Sequence, residues 1–294
     1  IKKPYHLNRK CGRTEITMKK ILAVFSAFIL CLSLCSCSES DEEKQKNFDL
    51  AKNYILSTDF SGDYYIQVSK NSSDAPVLTE ASKMDDDCAF MQYDYSGAMK
   101  FYRNGKATEI SAETFYVPEE KDAAWSDYSY DDMANQYEEI MKTLCTDEVL
   151  NAESEKPVVE SISVSETDSK LKKYSVKYNT SAVDTKSIFK SAGNFGSISI
   201  KYTYDENSNS FSSFSINCQY DYNSEITLIS VFFGTPDSPD EKGENGHRPE
   251  DIEEIFQKYL DDIEKAYNST DSSYDYQEYL DEYNKYLNQQ NQQD

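Results

Sequence analysis

The strongest constraint on the fold is a strict alternation of apolar and polar residues in the second half of the chain. Ile198, Ile200 and Tyr202 alternate with serine and lysine, and Phe214 and Ile216 belong to a second such series after a polar turn. A period of two places every apolar side chain on one face of a β-strand. Because the opposite face is polar, these segments are predicted to be antiparallel strands with one buried and one solvated face.

Other stretches carry the same signal. The dipeptide Asn104-Gly105 lies between two pairable runs within residues 97–110, which is the strongest short-range indication of a β-hairpin. Apolar-polar alternation bounded by turn residues predicts the remaining strands, at residues 62–71, 88–97, 156–166, 170–179, 197–206, 210–222 and 224–234.

Helical patterns precede, interrupt and follow these strands. Residues 47–56 space their apolar side chains for a short helix, and residues 130–145 predict a second helix with Asp131 or Asp132 as its N-cap. A loop rich in proline, glycine and charge leads to an amphipathic helix that begins near Pro249. A second apolar series, which predicts another helix before a disordered Asn/Gln-rich end, comprises Tyr276, Tyr279, Leu280, Tyr283, Tyr286 and Leu287.

The first 36 residues predict export. Residues 1–17 have no hydrophobic period and are interpreted as an upstream, non-native extension, with Met18 as the true start. Two lysines then precede an uninterrupted apolar run, Ile21–Leu34. A spanning helix needs about 20 apolar residues, so this shorter run is predicted to be the core of a signal peptide that covers residues 18–36. An uncleaved N-terminal anchor helix is the alternative.

The run ends in Leu34-Cys35-Ser36-Cys37, followed by a polar, acidic stretch. This resembles the lipobox of bacterial lipoproteins, in which a leucine and two small residues precede the modified cysteine. The resemblance implies cleavage between Ser36 and Cys37 and a diacylglyceryl group on the Cys37 thiol, since only a thiolate is nucleophilic enough for this transfer. Two acyl chains anchor a protein stably without a polybasic segment. The mature chain is therefore expected on the extracytoplasmic face of a bacterial cell membrane, with no cofactor besides this lipid.

The order of elements predicts an α+β fold. We expect an antiparallel, half-barrel-like sheet with packing helices, followed by a C-terminal helical and partly disordered tail. After a tether at residues 37–46, the α+β domain is predicted at 47–235, and the acidic loop and C-terminal helices at 236–294. Over residues 45–235 the element order and the lipoprotein context look like the LolA/LppX-type lipoprotein fold. That resemblance implies an incomplete barrel plugged by helices, with lipid or another apolar molecule between them.

No catalytic or metal site is predicted. His247 is the only histidine after cleavage, and it is interpreted as a solvent-exposed loop residue rather than as a member of a catalytic triad. Cys88, Cys145 and Cys218 lack the paired spacing of zinc sites, and a buried thiol is favoured over a disulfide for Cys218. The acidic turn that begins at Asp205 departs from the pattern of a calcium loop and is interpreted as a hairpin turn.

Charge narrows the range of partners. The formal net charge of −23 disfavours binding to nucleic acid. The leading hypothesis is a non-enzymatic lipoprotein that holds an apolar ligand or lipid between its sheet and helices. The alternative is a surface module that binds an envelope protein or a glycan through acidic, tyrosine-rich C-terminal helices. Residues 128–132 and 274–286 contain the tyrosines that are expected to be exposed.

Overall fold

A computed structural model describes residues 39–60, 62–71, 77–94, 98–111, 118–146, 154–166, 171–189, 194–222, 225–234 and 246–268. The described residues from Lys44 onward form one compact unit. The predicted signal peptide and the predicted lipobox, with Leu34, Cys35, Ser36 and Cys37, lie outside the described residues, as does the helix predicted within residues 276–287.

The strands form one open, antiparallel sheet in the order β6-β5-β4-β3-β2-β1-β11-β10-β9-β8-β7. Each half of the chain makes a meander, and the two meanders join where β1 pairs with β11. The α+β fold class is therefore confirmed. The strands are β1 (Tyr64–Asn71), β2 (Val77–Met84), β3 (Asp87–Asp94), β4 (Met99–Arg103), β5 (Lys106–Ile110), β6 (Glu119–Asp122), β7 (Val159–Glu166), β8 (Leu171–Tyr178), β9 (Asn194–Asp205), β10 (Ser210–Tyr222) and β11 (Glu225–Phe233).

The predicted hairpin is confirmed. Arg103 pairs with Lys106, so β4 and β5 are joined by the two residues Asn104 and Gly105 alone. Both have positive φ angles, 50° and 80°. A two-residue turn of this kind follows the right-handed twist of the strands, and asparagine followed by glycine adopts it at little cost.

Four α-helices are described: α1 (Asp41–Ser57), α2 (Tyr130–Leu144), α3 (Thr185–Phe189) and α4 (Pro249–Asn268). Helix α1 begins six residues before the predicted start, inside the segment interpreted as a tether. The reason is a capping box: the Glu43 N–H donates to Ser40 Oγ at 3.3 Å, and the Ser40 N–H donates to the Glu43 carboxylate at 3.0 Å.

The N-cap predicted for α2 was wrong. Ser129, with a φ angle of 56°, precedes the helix after a 3₁₀ turn at Trp125–Tyr128. Asp131 lies in the first helical turn, where a negative charge is favoured by the helix dipole, but its carboxylate also contacts the sheet.

The two faces of the sheet carry different helices. The inner face of the sheet is the side that contains Tyr64 and Ile66 of β1, together with the residues of the other strands that point the same way. These residues pack with α1, α2 and α3 in the larger core. The outer face is the side that contains Tyr65 and Met91, and α4 packs on it across β2, β3 and β4. Alternation along β1 places neighbouring tyrosines in the two separate cores.

Candidate functional site

Five aromatic rings meet where the 3₁₀ turn and the start of α2 cross the inner face. We call this group the rim cluster: Phe90 on β3, Tyr102 on β4, and Trp125, Tyr128 and Tyr130. The ring centroids of Phe90 and Tyr128 are 4.3 Å apart, and those of Tyr102 and Trp125 are 5.5 Å apart. Phe90 and Tyr102 are buried, whereas the three rings of the 125–130 segment are half-buried. The cluster therefore has an accessible side.

Local hydrogen bonds fix the segment that carries these three rings. The Asp127 carboxylate accepts the Ala124 N–H at 2.9 Å, and this contact closes the 3₁₀ turn. The left-handed backbone of Ser129 then redirects the chain into α2. Trp125, Tyr128 and Tyr130 consequently project toward the same part of the inner face.

A carboxylate ties the rim cluster to the sheet. Asp131 accepts hydrogen bonds from the Tyr64 hydroxyl at 2.7 Å, from the Lys83 ammonium at 3.0 Å and from the Trp125 indole N–H at 3.2 Å. Partial burial raises the pKa of Asp131, but these donors outweigh it and leave the pKa below its usual value. The ionised carboxylate thus joins α2, the turn and two strands.

Two of the tyrosines expected to be exposed are not. Tyr128 and Tyr130 pack against Phe90, and burial raises the pKa of the Tyr130 hydroxyl. Their position next to acidic residues suggested exposure, but the chain turns them onto the inner face. The other predicted group, residues 274–286, lies outside the described residues.

A second polar group lies on the outer face beside the start of α4. Glu80 of β2 is buried, and its Oε2 lies 3.1 Å from Nδ1 of His247. The Gln67 amide donates to the other carboxylate oxygen at 3.4 Å, and the Tyr65 hydroxyl also donates to Glu80. The Tyr65 ring meets the imidazole edge-on, with 5.7 Å between centroids. Phe232 of β11 packs beside Tyr65. The group thus draws on three strands, β1, β2 and β11, and on the loop before α4.

The interpretation of His247 as a solvent-exposed loop residue was wrong. Only 16% of its side chain is exposed, because the residues before α4 lie against β1 and β2. An imidazole held by a carboxylate supplies two of the three members of a hydrolytic triad, and the third, a nucleophile, must contact the other ring nitrogen. Buried Ser82, two residues along β2 from Glu80, has a hydroxyl without a hydrogen-bond partner among the described residues. The contact between Glu80 and His247 attaches the loop before α4 to β2.

The three cysteines within the described residues are free thiols in buried or half-buried positions. Cys145 and Cys218 are buried and Cys88 is half-buried, which confirms the buried thiol predicted at Cys218. Burial raises the pKa of Cys88 to about 11 and that of Cys145 to about 12. These groups are protonated near neutral pH, and a thiol is a weak nucleophile and a weak metal ligand.

The described part of the chain contains no group of three or more His, Cys, Asp or Glu side chains arranged to hold a metal ion. The Asp205 segment is a hairpin turn, as predicted, since its carboxylate accepts the Asn207 N–H and the Ser208 hydroxyl, each at 2.8 Å. Both acceptor oxygens are therefore used within the turn.

Comparison with known proteins gives no assignment. The chain matches no protein-family model and no curated protein. Among the helices that the structure describes, none combines the length and the apolar composition needed to span a bilayer.

Proposed function

We propose that this protein is a lipid-anchored, extracytoplasmic binding protein that holds an apolar ligand between the inner face and the helices that cover it. The rim cluster is the observation that carries the proposal. Trp125, Tyr128 and Tyr130 are half-buried, and they continue the buried apolar layer to its accessible edge. Ligand sites of this class combine apolar and aromatic walls with a few polar groups that orient the ligand. Asp131 and Lys83 are the polar groups at this edge.

A second accessible edge lies where α1 covers β10. Tyr54 is 39% exposed, and its ring stacks on Phe214 with 5.3 Å between centroids and an interplanar angle of 10°. Half-buried Phe211 packs beside both rings. Leu50, one helical turn before Tyr54, is 47% exposed. The apolar layer is thus partly exposed beside α1 and beside the start of α2.

The two helices differ in how they contact the sheet. The Tyr202 hydroxyl donates to Asn47 of α1 at 3.1 Å. Helix α2 is attached more firmly, because Asp131 accepts from Tyr64 and Lys83 and the Leu144 carbonyl accepts the Tyr178 hydroxyl at 3.2 Å. Backbone hydrogen bonds hold the strands together independently of these contacts. A ligand can therefore displace α1 from the apolar layer without disrupting the sheet.

The chain contains a single tryptophan, and its position provides a direct test. Trp125 lies in the rim cluster, so an apolar ligand bound there lies close to the indole ring. We expect cis-parinaric acid, a fluorescent fatty acid, to bind the full chain and to quench Trp125 emission by energy transfer. Native mass spectrometry of the protein purified from membranes should also detect a noncovalent lipid.

Trp125→Phe is the matched control. This variant keeps a ring in the cluster, so the emission of bound cis-parinaric acid should persist while the energy transfer disappears. The absence of both bound probe and co-purified lipid would refute the proposal. Binding of the probe without quenching of Trp125 would place the ligand elsewhere and refute the assignment of the rim cluster.

The alternative function, a partner-binding C-terminal region, requires a different truncation. The apolar side of α4 is buried against the outer face, with Ile252 and Phe256 in its core, so removal of residues 249–294 would uncover that core. Truncation after Asn268 leaves the docked helix in place. Loss of binding to an envelope protein or glycan, with retained binding of cis-parinaric acid, would support the alternative.

Lipid anchoring has its own test. We expect Cys37→Ala to abolish labelling by a radioactive fatty acid and to leave the precursor uncut, because the acceptor thiol is absent. Cys35→Ala replaces one small residue by another and should change neither result. Gel autoradiography measures the labelling, and an immunoblot measures the size of the precursor. Labelling that persists in Cys37→Ala would contradict the assignment.

A further inference from the structure

The contact between His247 and Glu80 joins residues that are 167 positions apart in the chain. His247 is two residues before α4, and Glu80 lies in the middle of β2. The side chains are 16% and 5% exposed. Because both groups can carry charge, this contact attaches the start of α4 to the outer face in a manner that depends on protonation.

On the sheet side, two side chains donate hydrogen bonds to Glu80. The Gln67 amide and the Tyr65 hydroxyl donate to the carboxylate, in addition to the imidazole. Burial raises the pKa of Glu80, but the hydrogen bond and the charge of His247, followed by these two donors, outweigh burial and lower the pKa. Glu80 therefore remains ionised below the surface.

On the helix side, Asp251 is the charged group that acts on the imidazole. Burial lowers the pKa of His247, whereas the hydrogen bond and charge of Glu80 and the charge of Asp251 raise it, and the net effect is an increase. The Asp251 carboxylate also accepts the Arg248 N–H at 2.8 Å, and the Arg248 guanidinium lies 3.9 Å from Glu250. The only cation among these neighbours thus has its own acidic partner.

We propose that His247 and Glu80 form a proton-operated latch, which holds the start of α4 on the outer face while both groups are charged and loosens it when His247 loses its proton. Release of α4 uncovers the apolar side chains beneath it. Met91 and Phe101 are buried under the helix, and Phe101 stacks on Phe256 with 4.1 Å between ring centroids. The latch therefore controls access to an apolar surface distinct from the inner face.

The direction of the pH dependence follows from the two pKa shifts. Since the pKa of docked His247 is raised, its contribution is complete below the undocked value of about 6.5 and is lost as the pH rises through the docked value. Since the pKa of docked Glu80 is lowered, its contribution is complete above about 4.5 and is lost as the pH falls through the docked value. The latch is strongest between these limits.

Amide hydrogen exchange in the full chain tests the proposal. After correction for the intrinsic exchange rates, the opening constant of α4 should rise by up to about tenfold per pH unit above pH 6.5 and should level off above the pKa of docked His247. His247→Gln keeps an amide donor but does not titrate. In this variant the opening constant of α4 should equal the high-pH value of the wild type at every pH between 5.5 and 9.

Glu253→Gln is the matched control. Glu253 also joins α4 to the sheet, through a 3.0 Å ion pair with Arg103, and its replacement leaves His247 and Glu80 unchanged. This variant should raise the opening constant by one factor at all pH values and keep the slope. A slope that persists in His247→Gln, or one that is lost in Glu253→Gln, would overturn the latch.

If His247→Gln fails to fold, an NMR titration still tests the proposal. In the wild-type chain, the NMR titration of His247 should give a pKa above 6.5, and Glu80→Gln should lower that pKa. A value below 6.5 in the wild type, or no change in Glu80→Gln, would also overturn the proposal.

Discussion

Replacement of Phe256 by alanine is expected to lower the free energy of unfolding by about 3–5 kcal/mol. Phe256 is 5% exposed, and its ring stacks on Phe101 at an interplanar angle of 10°. The substitution removes a large apolar side chain from the smaller core and leaves a cavity between α4 and β4. Urea denaturation of the full chain, followed by circular dichroism, measures the change.

Lys258→Ala is the control for helix propensity and expression. Lys258 lies on the exposed side of α4, two residues after Phe256, so its loss should change the stability by less than about 0.5 kcal/mol. Equal effects of the two substitutions would mean that α4 is not docked on the outer face.

Replacement of Gly246 by alanine should destabilise the protein by about 2–5 kcal/mol, the sum of two effects. The φ angle of Gly246 is +86°, which disfavours every residue with a Cβ atom. In addition, a Cβ at this position would lie 2.7 Å from Cδ1 and 2.8 Å from Cγ of Tyr65. Those atoms belong to the base of a buried ring and have no space to retreat.

Gly234→Ala separates the two effects. Gly234 has a similar φ angle of +91°, but no atom lies within 4 Å of an added Cβ. This variant should lose only the backbone contribution, about 1–2 kcal/mol. Thermal unfolding by calorimetry should therefore give a larger loss for Gly246→Ala. Equal losses would contradict the close packing of the loop against Tyr65.

Strands with an apolar-polar alternation, such as β9, were predictable, whereas β2 was not. Ile198 and Ile200 alternate with polar residues because the outer side of β9 is solvated. In β2, by contrast, Ala81 packs in the inner core, while Glu80 and Ser82 are buried on the outer face. Burial of polar side chains there removes the contrast between faces, so residues 77–84 carry no alternating signal.

The polar groups of both candidate sites depend on long-range contacts. Asp131 was predicted as an N-cap because its local sequence suits that role, yet its partner Tyr64 is 67 residues away. His247 follows a glycine in a polar stretch that is typical of an exposed loop. Residues 77–84 have no alternating pattern, so no local signal in them indicated Glu80 as its buried partner.

The pairing of β1 with β11 has a consequence for how the chain reaches its native state. The central strand pair of the sheet aligns residues 64–71 with 226–233. Strand β1, which is synthesised first, can therefore form this pair only after β11 has been synthesised. Until then each meander has an unpaired edge at β1 or β11, and such edges recruit other extended chains. A chain that emerges from the ribosome with its N-terminus first therefore exposes the edge of β1 during most of its synthesis. We expect a chaperone that binds extended strands to raise the yield of the folded protein.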